Sequence, residues 1–187
     1  MSQPLTGLEP LVKSIPDKGL PPLQDWQPAL SGDMDMRIDR NGQWWFKGKR
    51  IEREALVKLF SNLLRLEEDG QYYLISPVEK WRIQVEDTPL LAHSLGISGQ
   101  GEQQVLTLTT NVGEILTIGA SHPLQIDTYP GTGEPRPLIT VRHGVQARLV
   151  TAAYYELANL AAERFIDGET VMGVFSKGKF YKLTSNG

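Results

Sequence analysis

The feature that most constrains this chain is how often turns ending in glycine interrupt it. Asn41-Gly42, Asp69-Gly70, His143-Gly144 and Lys177-Gly178 each stand beside short segments rich in strand-forming residues. The Asn-Gly pair is a strong hairpin signal, because a type I′ turn needs two neighbouring residues that tolerate positive φ. A chain cut at such intervals folds into short, mostly antiparallel strands with brief helices between them.

Ahead of the first turn, Met34, Met36 and Ile38 alternate with Asp33, Asp35, Arg37 and Asp39, the period of a half-buried strand. Gln43 to Lys47 is the return strand. Ile51, Ala55, Leu56, Leu59, Phe60 and Leu63 then recur at helical spacing, with Glu52, Arg53, Glu54 and Lys58 on the opposite face. Gln71 to Ser76 and Lys80 to Glu86 predict two further strands. In the second, Trp81, Ile83 and Val85 alternate with Lys80, Arg82, Gln84 and Glu86. Beyond Pro89, five short strands are predicted over 105–110, 114–118, 124–128, 138–142 and 145–149. A helix over 151–165, with Thr151 as N-cap, and a hairpin over 170–175 and 179–183 complete the chain.

At the other end, Leu5, Leu8, Leu11, Val12 and Ile15 predict a short amphipathic helix that stops before Pro16. Prolines 16, 21, 22 and 28 exclude regular structure up to Gly32, so this arm lies over a surface with Leu20, Leu23, Trp26 and Leu30 as anchors. The organisation expected is therefore an arm over 1–32, a first α+β domain over 33–96 and a second over 97–187. The segment from Arg37 to Leu63 can also be laid over Thr140 to Leu160, since each runs strand, glycine turn, strand and helix. That overlay predicts an internal duplication.

Composition removes several classes of chemistry. With 187 residues and 40% hydrophobic content the chain can build its own core, and it has no cysteine. Disulfides, Fe–S clusters, thiol catalysis and Cys-ligated zinc are excluded. Twenty-two acids against 19 bases leave a net charge of -3, so any anionic partner must be held by a local arginine cluster and not by the field of the whole protein. The N-terminus lacks a basic n-region and an apolar h-region, and no apolar run of about 18 residues occurs, so a cytoplasmic protein without membrane insertion is expected. His93, His122 and His143 show no metal-ligand spacing, and Ser98 and Ser121 lack the flanking glycines of a nucleophile elbow. Gly99-Gln100-Gly101 and Gly131-Thr132-Gly133 lack Gly-Lys-Ser/Thr and read as turns. No metal or cofactor is expected.

The charges that remain are positioned ones. Lys47, Lys49, Arg50, Arg53 and Lys58, near Trp44 and Trp45, come nearest to a nucleic-acid patch, diluted by Glu52 and Glu54. Lys80, Arg82 and Glu86 project together from one strand face. Arg136, Arg142 and Arg148 would complete a mixed-charge cleft with them, lined by Tyr154 or Tyr155.

Gly32-Asp33-Met34-Asp35-Met36-Arg37-Ile38, the Trp45 strand, Pro77-Val78-Glu79-Lys80, Val85-Glu86-Asp87-Thr88-Pro89 and Arg148-Leu149 with Tyr154-Tyr155-Glu156-Leu157 occur in one order. Together they resemble a bacterial two-domain family of unknown function, DUF1285, over nearly the whole chain. The resemblance implies two related α+β domains, the second similar to pleckstrin-homology folds. It also implies a role in signal transduction with a protein or nucleic-acid ligand bound at the domain interface. It brings no catalytic residues with it.

The function expected is thus a non-enzymatic binding or regulatory protein, whose partner is a protein or an anionic ligand. Its site is expected between the halves, lined by Arg37, Trp45, Lys80, Arg82, Glu86 and Asp87 from the first and Arg142, Arg148 and Tyr154 from the second. Two rivals remain: a nucleic-acid-binding protein, and an enzyme using Glu79, Glu86 or Asp87 as acid/base groups.

Overall fold

The structure, a computed structural model, describes residues 8–13, 15–17 and 19–184. Two compact units divide the chain: Met1–Pro89 with His143–Val145, and Leu90–Arg142 with Gln146–Gly187.

In the first unit, helix α1 spans Glu9–Lys13 and buries Leu11, with Leu8 buried just ahead of it. The start of the expected N-terminal helix, through Gly7, lies outside the described residues. A single 3-10 turn, Leu23–Asp25, interrupts the proline-rich arm. Of the four expected anchors, Leu23 is fully buried and Trp26 half-buried, whereas Leu20 and Leu30 stand exposed. Strands β1 (Gly32–Ile38), β2 (Trp44–Phe46) and β3 (Lys49–Arg50) form one antiparallel meander. After helix α2 (Glu54–Ser61), strands β4 (Leu64–Leu66), β5 (Tyr72–Ile75) and β6 (Lys80–Val85) form another. The meanders join through a parallel β1–β6 pair, giving the order β3-β2-β1-β6-β5-β4. One sheet face is apolar. Met36, Ile38, Trp44 and Ile83 are buried, as are Leu56 and Phe60 four residues apart on α2. Trp44 stacks on Phe60 at 6.2 Å between ring centroids.

The second unit repeats this strand order without the intervening helix. β7 (Leu90–Ser98), β8 (Val105–Thr110) and β9 (Ile115–Thr117) form its first meander, and β10 (Leu124–Thr128), β11 (Pro135–Arg142) and β12 (Val145–Leu149) its second. A parallel β12–β7 pair joins them in the order β10-β11-β12-β7-β8-β9. Buried and half-buried residues alternate through β8, with Leu106, Leu108 and Thr110 inward. Helix α3 (Thr151–Asn159) buries Ala153 and Leu157 and leads into a three-stranded meander of β13 (Ala162–Ile166), β14 (Glu169–Ser176) and β15 (Lys179–Lys182).

Several expectations change. β7 runs through residue 96, where the sequence had suggested a domain boundary. The helix expected over 151–165 ends at Asn159 and is followed by β13. The overlay of residues 37–63 on 140–160 pairs strands in unlike places, because β1 lies in the central parallel pair of its sheet and β11 lies one strand outside it.

Candidate functional site

The second face of the first unit's sheet is polar, and strand register sorts it into two rows. Arg50 on β3 lies opposite Trp45 on β2, which lies opposite Arg37 on β1 and then Gln84 on β6. In the other row, Asp33 on β1 is followed by Arg82 on β6, Tyr73 on β5 and Arg65 on β4. The β1–β6 register shifts between Asp33 and Arg37, and these two residues pair with Arg82 and Gln84 on the same side of β6.

The first row is held from its end. Arg37 Nη1 donates to Glu86 Oε1 at 2.7 Å, and the backbone N–H of Arg40 donates to Glu86 Oε2 at 2.8 Å. The Arg37 guanidinium lies 5.3 Å from the centroid of the Trp45 ring. Trp45 Nε1 donates to Asp39 Oδ2 at 2.9 Å, while the Asn41 and Gln43 amides donate to Asp39 Oδ1. Burial works to raise the Asp39 carboxyl, but these three hydrogen bonds and the charge of Arg37 outweigh it and hold the carboxyl below the usual range. Asp39 thereby ties the Asn41-Gly42 turn to the Trp45 side chain.

In the second row, Arg82 Nε donates to Asp33 Oδ1 at 2.5 Å. Lys80 Nζ pairs with Glu67 Oε1 at 2.6 Å and lies 4.7 Å over the Tyr73 ring. The Tyr73 hydroxyl donates to Asp69 Oδ2, and this bond above all holds the Asp69 carboxyl below its usual range. Arg65 Nη1 donates to the carbonyls of Leu23 and Trp26 at 3.0 and 2.8 Å, pinning the arm to this end of the face. Gln24, Gln27, Arg65, Glu67, Asp69 and Lys80 line an open hollow of about 550 Å³ there. Asp87 is half-buried in the bend after β6.

The second unit's candidates are also engaged. Glu114 clamps Arg142 through both carboxylate oxygens, and the Tyr154 hydroxyl donates to the Leu183 carbonyl at 3.2 Å. Arg148 sits on β12 opposite Leu91, and Arg136 lies 5.8 Å from the Tyr129 ring centroid. Among the acid/base candidates, Glu86 is committed to Arg37 and to the Arg40 amide, whereas Glu79 Oε2 is buried without a hydrogen-bond partner.

Lys80, Arg82 and Glu86 therefore share a face, as their alternation predicted, but each is matched to a separate partner. The partners that sequence reasoning missed are Asp33, Glu67, Tyr73 and Arg65. Asp33 was legible as a strand's polar position; its pairing with Arg82, 49 residues away, depends on the parallel β1–β6 register that no turn signal announces. Among the described residues, no group of three or more His, Asp or Glu side chains gathers to hold a metal ion, and no helix is long and apolar enough to cross a membrane.

Fold and site together define a sheet-rich α+β protein of two units, the first carrying an ion-paired polar sheet face. Residues 21–88 match the N-terminal domain, and residues 89–183 the C-terminal domain, of the protein family of unknown function DUF1285. The chain belongs to that family. It is similar to the crystal structure of a DUF1285 family protein from Silicibacter pomeroyi DSS-3, with 40% identity and a TM-score of 0.84 over 96% of each chain. A DUF1285 family protein from Shewanella baltica OS155 is similar at 27% identity and a TM-score of 0.53, over 67% of this chain and 91% of that one. No curated protein matches the chain.

Proposed function

We propose that the chain is a non-enzymatic regulatory protein that binds a polypeptide partner through the polar sheet face of its first unit. The observation that carries this reading is the pairing along that face. Arg37 with Glu86, Arg82 with Asp33 and Lys80 with Glu67 hold charges of both signs in fixed positions at the surface. An arginine has five donors and a carboxylate about four acceptor sites, so each pair keeps capacity for a partner that presents both signs. Such a partner meets charges already compensated, which lowers the desolvation cost of docking and makes recognition depend on charge pattern.

A signalling role in the cytoplasm accords with a module of this kind. The shared strand order of the two sheets supports a duplication with β1–β6 laid over β7–β12, in place of the register read from sequence. Antiparallel meanders followed by α3 are what favours a pleckstrin-homology-like reading of the second unit.

The test is capture by the immobilised full-length protein, comparing wild type with Arg37→Ala/Arg82→Ala. Loss of a captured polypeptide, at an unchanged melting temperature and with release by high salt, supports the siting. Equal capture by both overturns it.

A further inference from the structure

We infer that the β2–β3 hairpin and the start of α2 form a binding site for single-stranded nucleic acid, adjoining the Arg37 end of the ion-paired face. Lys47, Lys49, Arg50 and Arg53 fall within seven consecutive residues and all four are exposed. Among the described residues none of the four forms an ion pair. This sets them apart from Arg37, Lys80, Arg82 and Arg142, each of which is matched to a carboxylate. Between Lys47 and Lys58 there are five cations and two acids, so a locally positive surface stands on a chain of net charge -3.

Folding does not account for this placement. Arg53 is the N-cap of α2 and makes no side-chain capping bond. Ser, Thr, Asp or Asn there would accept a hydrogen bond from a free helix amide, and a cation at the positive end of a helix is electrostatically disfavoured. An anion docked at the same place reverses the sign of that interaction. The hairpin is also rigid. Lys47 and Gly48 both adopt positive φ, 49° and 77°, as a tight two-residue turn requires, which places Lys49 opposite Phe46 and Arg50 opposite Trp45.

The aromatic neighbours narrow the choice of polyanion. Phe46 is half-buried on the opposite side of β2 from Trp45, and Lys47 Nζ lies 5.2 Å from its ring centroid. Cations beside aromatic rings suit a single strand, whose phosphates take the charge while its bases stack. An anionic membrane fits less well, because none of the large, well-exposed apolar side chains falls between Trp44 and Phe60 to anchor the patch in lipid.

The experiment is fluorescence anisotropy of the full-length protein with a labelled oligo-dT and a labelled oligo-U, over a series of potassium chloride concentrations. Binding is expected, with a slope of log K against log salt of about −3, the value for four phosphates neutralised on a single strand. Lys49→Ala/Arg50→Ala should weaken binding by about tenfold or more and flatten the slope by about half. Both positions are exposed, and an unchanged circular-dichroism melt confirms that the variant folds. Arg82→Ala, which breaks the pair with Asp33 in the other row of the polar face, should leave oligonucleotide binding unaltered; that separates failure of one site from failure of the other. Absence of binding at low salt, equal binding by the Lys49/Arg50 variant, or binding of phosphatidylserine vesicles without binding of oligonucleotides would each overturn the inference.

Discussion

Glu114 holds Arg142 by both of its terminal nitrogens, Nη1 to Oε1 at 2.6 Å and Nη2 to Oε2 at 2.9 Å. Glu114 lies in the turn between β8 and β9, and Arg142 ends β11, so the clamp joins parts of the sheet that β12 and β7 separate. Both side chains are largely withdrawn from solvent, at 16% and 29% exposure for Arg142 and Glu114. Removing Glu114 takes two charge-assisted hydrogen bonds from a largely buried guanidinium, a loss of about 1–3 kcal/mol. Urea unfolding of Glu114→Ala should show that loss, and a double-mutant cycle with Arg142→Ala should show coupling. Additive losses would mean that the clamp adds nothing beyond packing.

Gly173, in the middle of β14, has no room for a side chain. A Cβ there would run into the backbone carbonyl of Tyr181 and the ring of Phe180 on β15. The Phe180 ring packs 5.1 Å from that of Phe175, and Arg164 lies over both. Gly173→Ala should therefore destabilise the protein by about 1–3 kcal/mol through overpacking. Adding Phe180→Ala should restore only part of the loss, because the Tyr181 carbonyl belongs to the backbone and cannot move aside without breaking the ladder. A fully stable Gly173→Ala would show that β14 and β15 can separate locally.

These strands also show what sequence patterns reveal. β8, β10 and β12 lie where strand-forming residues between glycine- and proline-bearing turns predict them, and each buries alternate residues on one face. β7 escaped notice because its pairing with β8 shifts register between His93 and Gly96, and Ser94 takes a positive φ of 54°, so its apolar residues lose that period. Tyr154, Leu157, Ala158, Ala161 and Phe165 carry helical spacing past the end of α3. Pairing with β14 overrides it, and Phe165 ends up 72% exposed on an edge strand. β3 and β4, with only two and three residues, are too short for any period to appear. The candidate site was half legible for a related reason. Alternation reveals which charges share a face, whereas Arg37 with Glu86 and Arg82 with Asp33 meet only once β1 lies parallel to β6.

Asp69 and Tyr73 make stability depend on pH at both ends of the scale. Asp69 is held below the usual carboxylate range first by the Tyr73 hydroxyl and then by the Gln71 amide. The same bond, followed by burial, pushes Tyr73 up. The depressed carboxyl contributes stability above its unfolded value, about pH 4, and loses it as pH falls through the lower folded value. The raised tyrosine contributes stability below about pH 10 and loses it as pH rises through the higher folded value. In Tyr73→Phe, carbon-detected NMR should find Asp69 titrating nearer its usual range, and both pH dependences should weaken. An unchanged Asp69 titration would mean that the Gln71 amide and the charges of Lys80 and Arg82 set it without the tyrosine.

Ser176 fastens β14 to the first meander of the second unit from a fully buried position. Its hydroxyl donates to the Ile118 carbonyl at 2.7 Å and accepts from the Leu106 amide at 3.0 Å. On either side, Gln104 Nε2 donates to the Phe175 carbonyl and the Lys177 amide donates to the Gln104 carbonyl. Ser176→Ala leaves the Leu106 amide without that acceptor in a place where water does not replace it, at a cost of about 1–3 kcal/mol. The loss should be local as well as global. Hydrogen exchange should accelerate at Leu106 well before it does at Leu138, which lies in the second meander of the same sheet. Gln104→Ala should reproduce the same pattern more weakly, because its bond is made to one edge of the contact. Equal acceleration at Leu106 and Leu138 would show that the meander and the sheet open as one cooperative unit, with Ser176 stabilising the whole and not the joint.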